Sequence, residues 1–536
     1  MISYALYVVS NIALPFRASI KEALSVASRK LNSAGILHSP LDLYVYRRSI
    51  DARNKSDIKF VYSIALRSPE VPPAHEKLAK LGITRVEYSS PVFEVGEKKA
   101  TAPIVVVGSG PAGLFASLIL AEAGFKVRLI ERGGCVDERK SAVEFFKKTR
   151  ILDPNTNIQF GAGGAGTFSD GKLVTRINDP MCSYVLERFV EFGAPEEILY
   201  LAKPHIGTDI LSSVVDNILK RIEELGSSVH YHTTMLDFKD TCGTIKNVVT
   251  DKGEIECSAV ILAIGHSARD TYKCLLDHSM DISSKDFSVG MRIEHKRRMI
   301  DEALYGDNAQ DPLLPSGEYN LSHNTKVRGV YTFCMCPGGE VVAATSETDG
   351  VVVNGMSEHA RSGENSNCAV CCSVFRADYG STPESAIEFQ RKIERAAFHS
   401  AGKNYNAPII TVGDFLRGEC KRDPYDVIPT YMNGSGVTLT SPERYLPSFV
   451  TEAIKGALLS FDKKIQGFAS FGSVLTGPET RTSSPIRIQR SQDTRLATGY
   501  NNLFPSGEGA GYAGGISSAA IDGVKCALAL MKIYRP

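Results

Sequence analysis

Three glycines, Gly108, Gly110 and Gly113, stand on a GxGxxG spacing within "IVVVGSGPAGLFASLILAEAGFKVRLIERGG", and an acid, Glu131, follows eighteen residues after the last of them. The chemistry this spacing serves is dinucleotide binding. Gly108 permits a tight turn, Gly110 lets the backbone reach a pyrophosphate, and Gly113 lets a helix pack close to a strand. Phosphate charge then faces the helix N-terminus at Pro111 and Ala112, while Glu131 accepts from ribose hydroxyls, with Arg132 beside it. A second stretch, "QFGAGGAGTFSDGKL", packs five glycines into Gly161 to Gly171 and brings Ser169, Asp170 and Lys172 together. Such bare backbone is either a loop or a surface that something approaches closely. A third, "LFPSGEGAGYAGGISSAAIDG", carries an acidic glycine loop, Gly507–Glu508–Gly509, and opens a helix at Gly514, Gly515 and Ile516.

The elements around these residues must position them. The apolar run before Gly108, the apolar helix after it and the strand ending at Glu131 form a βαβ unit. Further on, "SSVVDNILKRIEELGSSVHYHTTMLDF" reads as a helix and a strand. "CGTIKNVVTDKGEIECSAVILAIGHSA" then reads as a β-meander returning to an apolar strand that ends at Gly265 and His266. No second complete GxGxxG with its strand and acid follows, so a separate NAD(P)-binding domain is not expected. Upstream, the segments from "SYALYVVSNIAL" to "RVEYSSPVFEV" give the order βαββαβ, an α+β ferredoxin-like unit. The polar linker "GEKKATAP" ends it.

A chain of 536 residues holds two or three domains. Net charge is +1, yet residues 1–99 carry 15 Lys/Arg against 9 Asp/Glu, a surplus of six that marks a boundary near residue 100. The composition, 43% hydrophobic and 23% charged, is that of a soluble protein, without an apolar run long enough for a membrane span. Twelve scattered cysteines suit a reducing compartment, so a cytoplasmic location is expected. The first thirty residues are basic, with Glu22 the one acid, as in a transit peptide, but they also make a good strand and helix.

Over nearly its whole length the chain resembles the large, mostly uncharacterised family of FAD-dependent dehydrogenases and oxidoreductases of bacteria and plastids. The likeness rests on the three glycine segments together with "RSIDARNKSDIKFVYSI", "ILAIGHSARDTY", "FSVGMRIEH", "YTFCMCPGGEVV" and "TGPETRTSSPIRIQR". It implies an α/β protein with a glutathione-reductase-like FAD-binding Rossmann domain. The expected domains are 1–98, N-terminal; 101–285, the first part of the FAD domain; 286–468, an inserted β-rich cap; and 469–536, the return. By the same resemblance, the second glycine stretch contacts FAD through Gly163, Gly164, Gly166, Thr167 and Gly171, with Ser169, Asp170 and Lys172 near the flavin edge. Ala162 stands where the family usually has an acid. Glu508 is implied to accept from ribityl or ribose hydroxyls, and the helix at Gly514 to face the flavin N1/C2 carbonyl edge.

The expected activity is hydride or electron transfer between flavin and a small organic substrate. Arg481 and Lys172 are the catalytic candidates. An arginine beside flavin can bind a carboxylate or stabilise negative charge, or else Arg481 pairs with Glu479 or another acid. Arg292 and His295 read as a strand-end surface. His266 is expected to touch FAD or cap a loop rather than act as a base. Cys334 and Cys336 invite a dithiol role and, with Cys368 and Cys371, a metal site, but "NCAVCCSVF" reads as a buried strand with cysteine as filler; no metal is expected. With no tryptophan in the chain, tryptophan-bearing halogenase motifs are absent. A competing reading docks the basic N-terminal unit on RNA or a protein, through "RRSIDARNK" and the alternating Tyr44, Tyr46, Phe60 and Tyr62.

Overall fold

Apolar alternation in the first ninety residues builds a four-stranded antiparallel sheet. The computed structural model describes residues 3–36, 39–68, 75–89, 93–174, 179–325, 327–421 and 426–536. Residues 90–92 of the expected last N-terminal strand lie outside them. The elements β1 (Ser3–Pro15), α1 (Ile20–Ala34), β2 (Leu43–Asp51), β3 (Lys59–Ser68), α2 (His75–Lys80) and β4 (Ile83–Ser89) follow the expected βαββαβ order. They pair in the spatial order β2-β3-β1-β4. Ala23, Ala27, Leu31 and Ala34 make the buried stripe of α1, the i, i+4 spacing of an amphipathic helix. The Glu22 carboxylate accepts from Ser19 N at 3.0 Å to cap its start, and Gly35 at φ +82° ends it. The unit docks on the rest of the chain where Arg48 N donates to Tyr200 O at 2.7 Å and Ala202 N donates to Arg48 O at 2.9 Å.

The second sheet is parallel, with five strands: β5 (Ile104–Val107), β6 (Val127–Ile130), β7 (Ser228–His230), β8 (Ala259–Leu262) and the late strand Leu503–Pro505. The late strand pairs with β8, β8 with β5, β5 with β6 and β6 with β7. IVVV and AVIL are buried at every position, as central strands covered on both faces must be. The helices α3 (Pro111–Glu122), α4 (Val136–Thr149), α5 (Thr208–Glu224) and α6 (Arg269–Asp277) lie around it. Close packing explains Gly113, where a Cβ would meet Gly108 O at 1.8 Å. The expected meander is present as Met235–Thr241, Thr244–Thr250 and Gly253–Glu256.

The cap is a seven-stranded sheet centred on β9 (Phe287–Lys296), β10 (Gly329–Cys336), β11 (Asn365–Val374) and β12 (Val474–Glu479), with helix α7 (Pro383–Ser400) beside it. The strand β12 pairs with β9, so the chain returns after Glu479, later than the sequence boundary of 468. Its hydrogen-bond ladder ties it to the cap, although a glycine-rich segment precedes it. A second correction concerns Arg292 and His295: both are wholly buried on β9, not at a strand-end surface. Among the described residues, no helix is long and apolar enough to cross a membrane. The chain closes with α8 (Ile516–Met531), which lies so close to α3 that a Cβ on Gly523 would meet Ala112 O at 2.1 Å.

Candidate active site

A cavity of about 330 Å³ opens along the C-terminal end of the parallel sheet, where open α/β sheets bind their ligands. Gly108, Gly110, Pro111, Ala112, Glu131 and Arg132 line it from the first βαβ unit, and Gly265 and His266 from the end of β8. The second glycine stretch contributes Gly164, Gly166, Ser169, Asp170 and Lys172; Glu508, Gly514, Gly515 and Ile516 come from the C-terminal segment. Arg481, Phe333, Cys334 and Asn354 reach in from the cap side. Three segments far apart in sequence therefore meet around one space. Gly113, Gly163, Thr167, Gly171 and Gly507 do not face it. Those five form its supporting layer: Gly113 packs α3 onto the strand, and for the other four this corrects an expected direct contact, since Gly163 N donates to Ser109 O at 3.1 Å, Thr167 O accepts from Thr208 Oγ1 at 2.6 Å, and Gly507 N donates to Asp522 Oδ2 at 2.8 Å.

The bare backbone of the second stretch approaches the first glycine loop. A Cβ on Gly164 would meet Gly110 Cα at 2.8 Å. What holds the stretch in place is Arg139, on α4, which sequence reading missed. Its buried guanidinium donates to the carbonyls of Asn157 (2.8 Å), Ile158 (2.6 Å), Ala162 (2.7 Å) and Gly164 (2.8 Å). The residue looks like one more charge in "VDERKSAVEFF"; only its interval against the Val136, Val143 and Phe146 stripe hints that it turns inward.

Glu131 is a staple as well as a ligand candidate. Its carboxylate accepts from Ser109 N (2.9 Å), Ser109 Oγ (2.7 Å), Gly133 N (3.0 Å) and Gly161 N (3.0 Å). Those four donors match the lone-pair positions of a carboxylate, so Glu131 ties the first glycine loop to the second. Glu508 is the contrast. Its side chain has no hydrogen-bond partner among the described residues, and burial pushes its carboxyl up to about 7 against the opposing charge of Lys285. A carboxyl so placed suits hydroxyl donors. Their hydrogen bonds favour the ionised form, so FAD should bind more tightly as pH rises through about 7. Glu508→Ala should weaken FAD by about 10- to 100-fold and flatten that pH dependence, as read by flavin fluorescence; unchanged affinity would remove Glu508 from the site.

The glycines say what shape of group the cleft takes. A Cβ on Gly514 or Gly515 would meet no atom within 4 Å among the described residues, and Gly515, at φ 171°, is extended. Neither packing nor backbone conformation requires glycine at Gly515. Both glycines line the cleft, and their bare backbone leaves it open at the start of α8.

Charges at the cap side are arranged in two clusters. Asp170 is clamped by Arg361, at 2.5 Å and 3.1 Å, and by Ser357. Glu318 is ion-paired with the same Arg361 at 2.6 Å and lies 3.5 Å from Lys172. Lys172 donates to Met335 O. Burial alone would lower the Lys172 ammonium, but Glu318 and Asp170 hold it above the ordinary lysine value, so it is a fixed cation and no base. In the second cluster, Glu394 of α7 lies between two arginines: Arg269 reaches it at 2.8 Å through both Nη atoms, and Arg481 at 3.0 Å and 3.2 Å. The acid paired with Arg481 is thus Glu394, while Glu479 pairs with Arg292 at 2.6 Å. This ion pair occupies the guanidinium edge that a bidentate carboxylate clamp would need. Burial, with the charges of Arg481 and Arg269, holds His266 down at about 3. It is neutral at physiological pH, and its Nδ1 lies 2.8 Å from Ser267 Oγ.

A model of the FAD-dependent protein, C-terminal domain-like family matches residues 286–482, and one of the pyridine nucleotide-disulphide oxidoreductase family matches 102–272. An uncharacterized protein of Clostridium beijerinckii is 42% identical over 533 residues, 97% of each chain. The chain belongs to a family of FAD-dependent oxidoreductases. Its cofactor is FAD, and the cleft has the donors and the clearances to receive it. Among solved structures, L-amino acid deaminase from Proteus vulgaris is 12% identical with a TM-score of 0.33, covering 83% of this chain and 96% of that one. Glycine oxidase from Bacillus cereus is 10% identical with a TM-score of 0.33, covering 81% and 98%.

Proposed function

We propose that this flavoprotein passes an electron pair between FAD and a small organic molecule held beneath the cap sheet. The observation that supports this reading is the lining of the cap side of the cleft. There Phe333, Cys334 and Asn354 face Lys172, Val174 and Ile516, so a small molecule would touch both the cap and the cofactor-binding half. In this reading the parallel sheet is the glutathione-reductase-like FAD domain, and the N-terminal unit is a ferredoxin-like appendage.

Bound FAD supplies the two-electron chemistry. The protein supplies fixed charge. Lys172, held by Glu318 and the Met335 carbonyl, stabilises negative charge developing at the flavin edge without reorganising. The N-terminus of α8, which opens at the cleft, would favour negative charge on a bound flavin by about 0.3–2 kcal/mol. Arg481 positions Glu394 and the cap, in place of the carboxylate clamp that its sequence context suggests. His266, being neutral, offers a ring nitrogen for hydrogen bonding and is no proton donor at pH 7.

RNA docking has little to stand on. Phe60 and Tyr62 are buried in the N-terminal core, and in the basic hairpin Arg53 pairs with Asp51 at 2.6 Å and Lys59 with Asp57 at 2.8 Å.

The test is anaerobic mixing of the holoprotein with NADH, NADPH and a panel of amino acids, hydroxy acids and amines, following flavin absorbance. Bleaching by at least one donor is expected, and Lys172→Met should slow it about 100-fold while FAD content holds. A flavin that dithionite bleaches but no panel member reduces would count against the reading.

A further inference from the structure

The tripeptide Cys334–Met335–Cys336 ends β10 at an irregularity. Phe333 pairs with Ala369 and Cys336 with Asn367, so three steps on β10 match two on β11; one extra residue is inserted, a β-bulge. Cys334 sits at φ +45°, a left-handed conformation that a cysteine adopts only where its surroundings enforce it. Two cations do so, the buried Arg292 and the half-buried Lys172: Arg292 Nη1 donates to Cys334 O at 3.0 Å, and Lys172 Nζ donates to Met335 O. The outcome is specific. Cys334 lines the cleft, whereas Cys336 is wholly buried behind it, and Cys336 Sγ turns back to donate to Cys334 O at 3.3 Å.

We propose that Cys334 and Cys336 form a two-electron dithiol–disulfide couple that exchanges electrons with the bound flavin. This rests on the reading of the cleft as a redox-active FAD site. In the oxidising direction, both S–H bonds break, one S–S bond forms, two electrons pass to oxidised flavin and two protons leave the thiols. In the reducing direction, reduced flavin returns two electrons, the S–S bond breaks and two protons restore the thiols. Cys334 is the sulfur facing flavin, and Cys336 is the resolving partner.

Three further observations support the assignment. The neighbouring Cys336 side chain, with the charges of Arg292 and Lys172, holds the Cys334 thiol below its ordinary value against the effect of burial, while Cys336 is pushed well up. One thiolate beside one thiol is the state from which such couples react. On a flat strand residues i and i+2 are roughly 6.7 Å apart, at the long end of the range a disulfide spans; the inserted residue breaks that spacing, and the Cys336 Sγ hydrogen bond to Cys334 O brings its sulfur back to Cys334. Third, three other cysteines of the cap, Cys368, Cys371 and Cys372, are buried on β11 and pushed upward by burial. They do not join Cys334 and Cys336 in a metal-ligand set among the described residues, and Cys368 Sγ accepts from Tyr319 Oη at 3.0 Å.

The experiment uses the full-length holoprotein, oxidised with a small aromatic disulfide, desalted, and titrated anaerobically with dithionite. The wild type should take up four electrons per FAD, and Cys334→Ser and Cys336→Ser two. Mass spectrometry of the unreduced oxidised protein should show the peptide holding both cysteines lighter by two hydrogens. At the half-reduced stage a broad absorbance to the red of the flavin band, from the Cys334 thiolate against oxidised flavin, should be seen in the wild type and lost in Cys334→Ser. Uptake of two electrons by wild-type protein that carries stoichiometric FAD and two free thiols would overturn the couple and leave the proposed function standing. A chain that binds no FAD would overturn both.

Discussion

Arg139→Ala should release FAD while leaving most of the fold in place. The substitution strips hydrogen bonds from four carbonyls, Asn157 and Ile158 just before the second glycine stretch and Ala162 and Gly164 within it. Each buried carbonyl left unpaired costs about 1–3 kcal/mol, though water entering the space of the lost side chain will satisfy some of them. A net loss of about 4 kcal/mol is expected. This is below the roughly 5–15 kcal/mol that holds a domain together, so the stretch should loosen before the domain unfolds. If the whole loss falls on ordering the loop, FAD affinity drops about a thousandfold. Equilibrium dialysis against FAD, with circular dichroism to verify the fold, checks this. Arg139→Lys should fall between the two, because one ammonium cannot reach carbonyls on several sides. An alanine variant with wild-type affinity would mean that the stretch holds its own shape.

The second large effect is at Glu394. Removing it leaves Arg269 and Arg481 in a buried site with only the half-buried Glu347 as a shared anion, and breaking a buried pair from one side costs about 3–5 kcal/mol. Glu394→Ala should therefore destabilise by about that amount in a chemical denaturation curve. The same group sets a pH dependence. Burial opposes its ionisation, but the two arginines overcome this and hold the carboxyl below the ordinary glutamate range. The unfolded chain titrates near about 4.3. A folded-state pKa below that value makes the stabilisation fully present above about pH 4.3 and progressively lost as pH falls further. Between pH 6 and pH 3 the wild type should lose more stability than Glu394→Gln. Equal losses would show that the pair carries no acid sensitivity.

The parts of this site legible in sequence were those in which local pattern and global role coincide. Gly108, Gly110, Gly113 and Glu131 sit on one strand–turn–helix–strand unit, whose spacing alone encodes its geometry. Gly514 and Gly515 were legible because a helix opens there. Arg139 and Glu394 were not, since a charged residue on an amphipathic helix reads as solvent-facing, and only tertiary packing turns these two inward. The exchange of partners between Arg292–Glu479 and Arg481–Glu394 was equally hidden. Glu479 and Arg481 are two residues apart at the end of β12, and the fold sends one to β9 and the other to α7. Cys334 shows a third kind of failure. Two-residue periodicity puts both thiols on one strand face, and the inserted residue cancels that inference.

The central claim is that the three glycine segments meet to receive FAD against the start of α8. Gly515→Val tests it most directly, because the added side chain meets no described protein atom within 4 Å at its Cβ and the extended backbone accepts valine. The measurement is FAD per chain by absorbance, taken with the thermal transition of the FAD-stripped protein. The predicted result is near-stoichiometric FAD in the wild type, at least a tenfold loss of affinity in Gly515→Val, and an unchanged transition for the stripped forms. A valine variant that keeps its FAD would contradict the claim and place the flavin elsewhere.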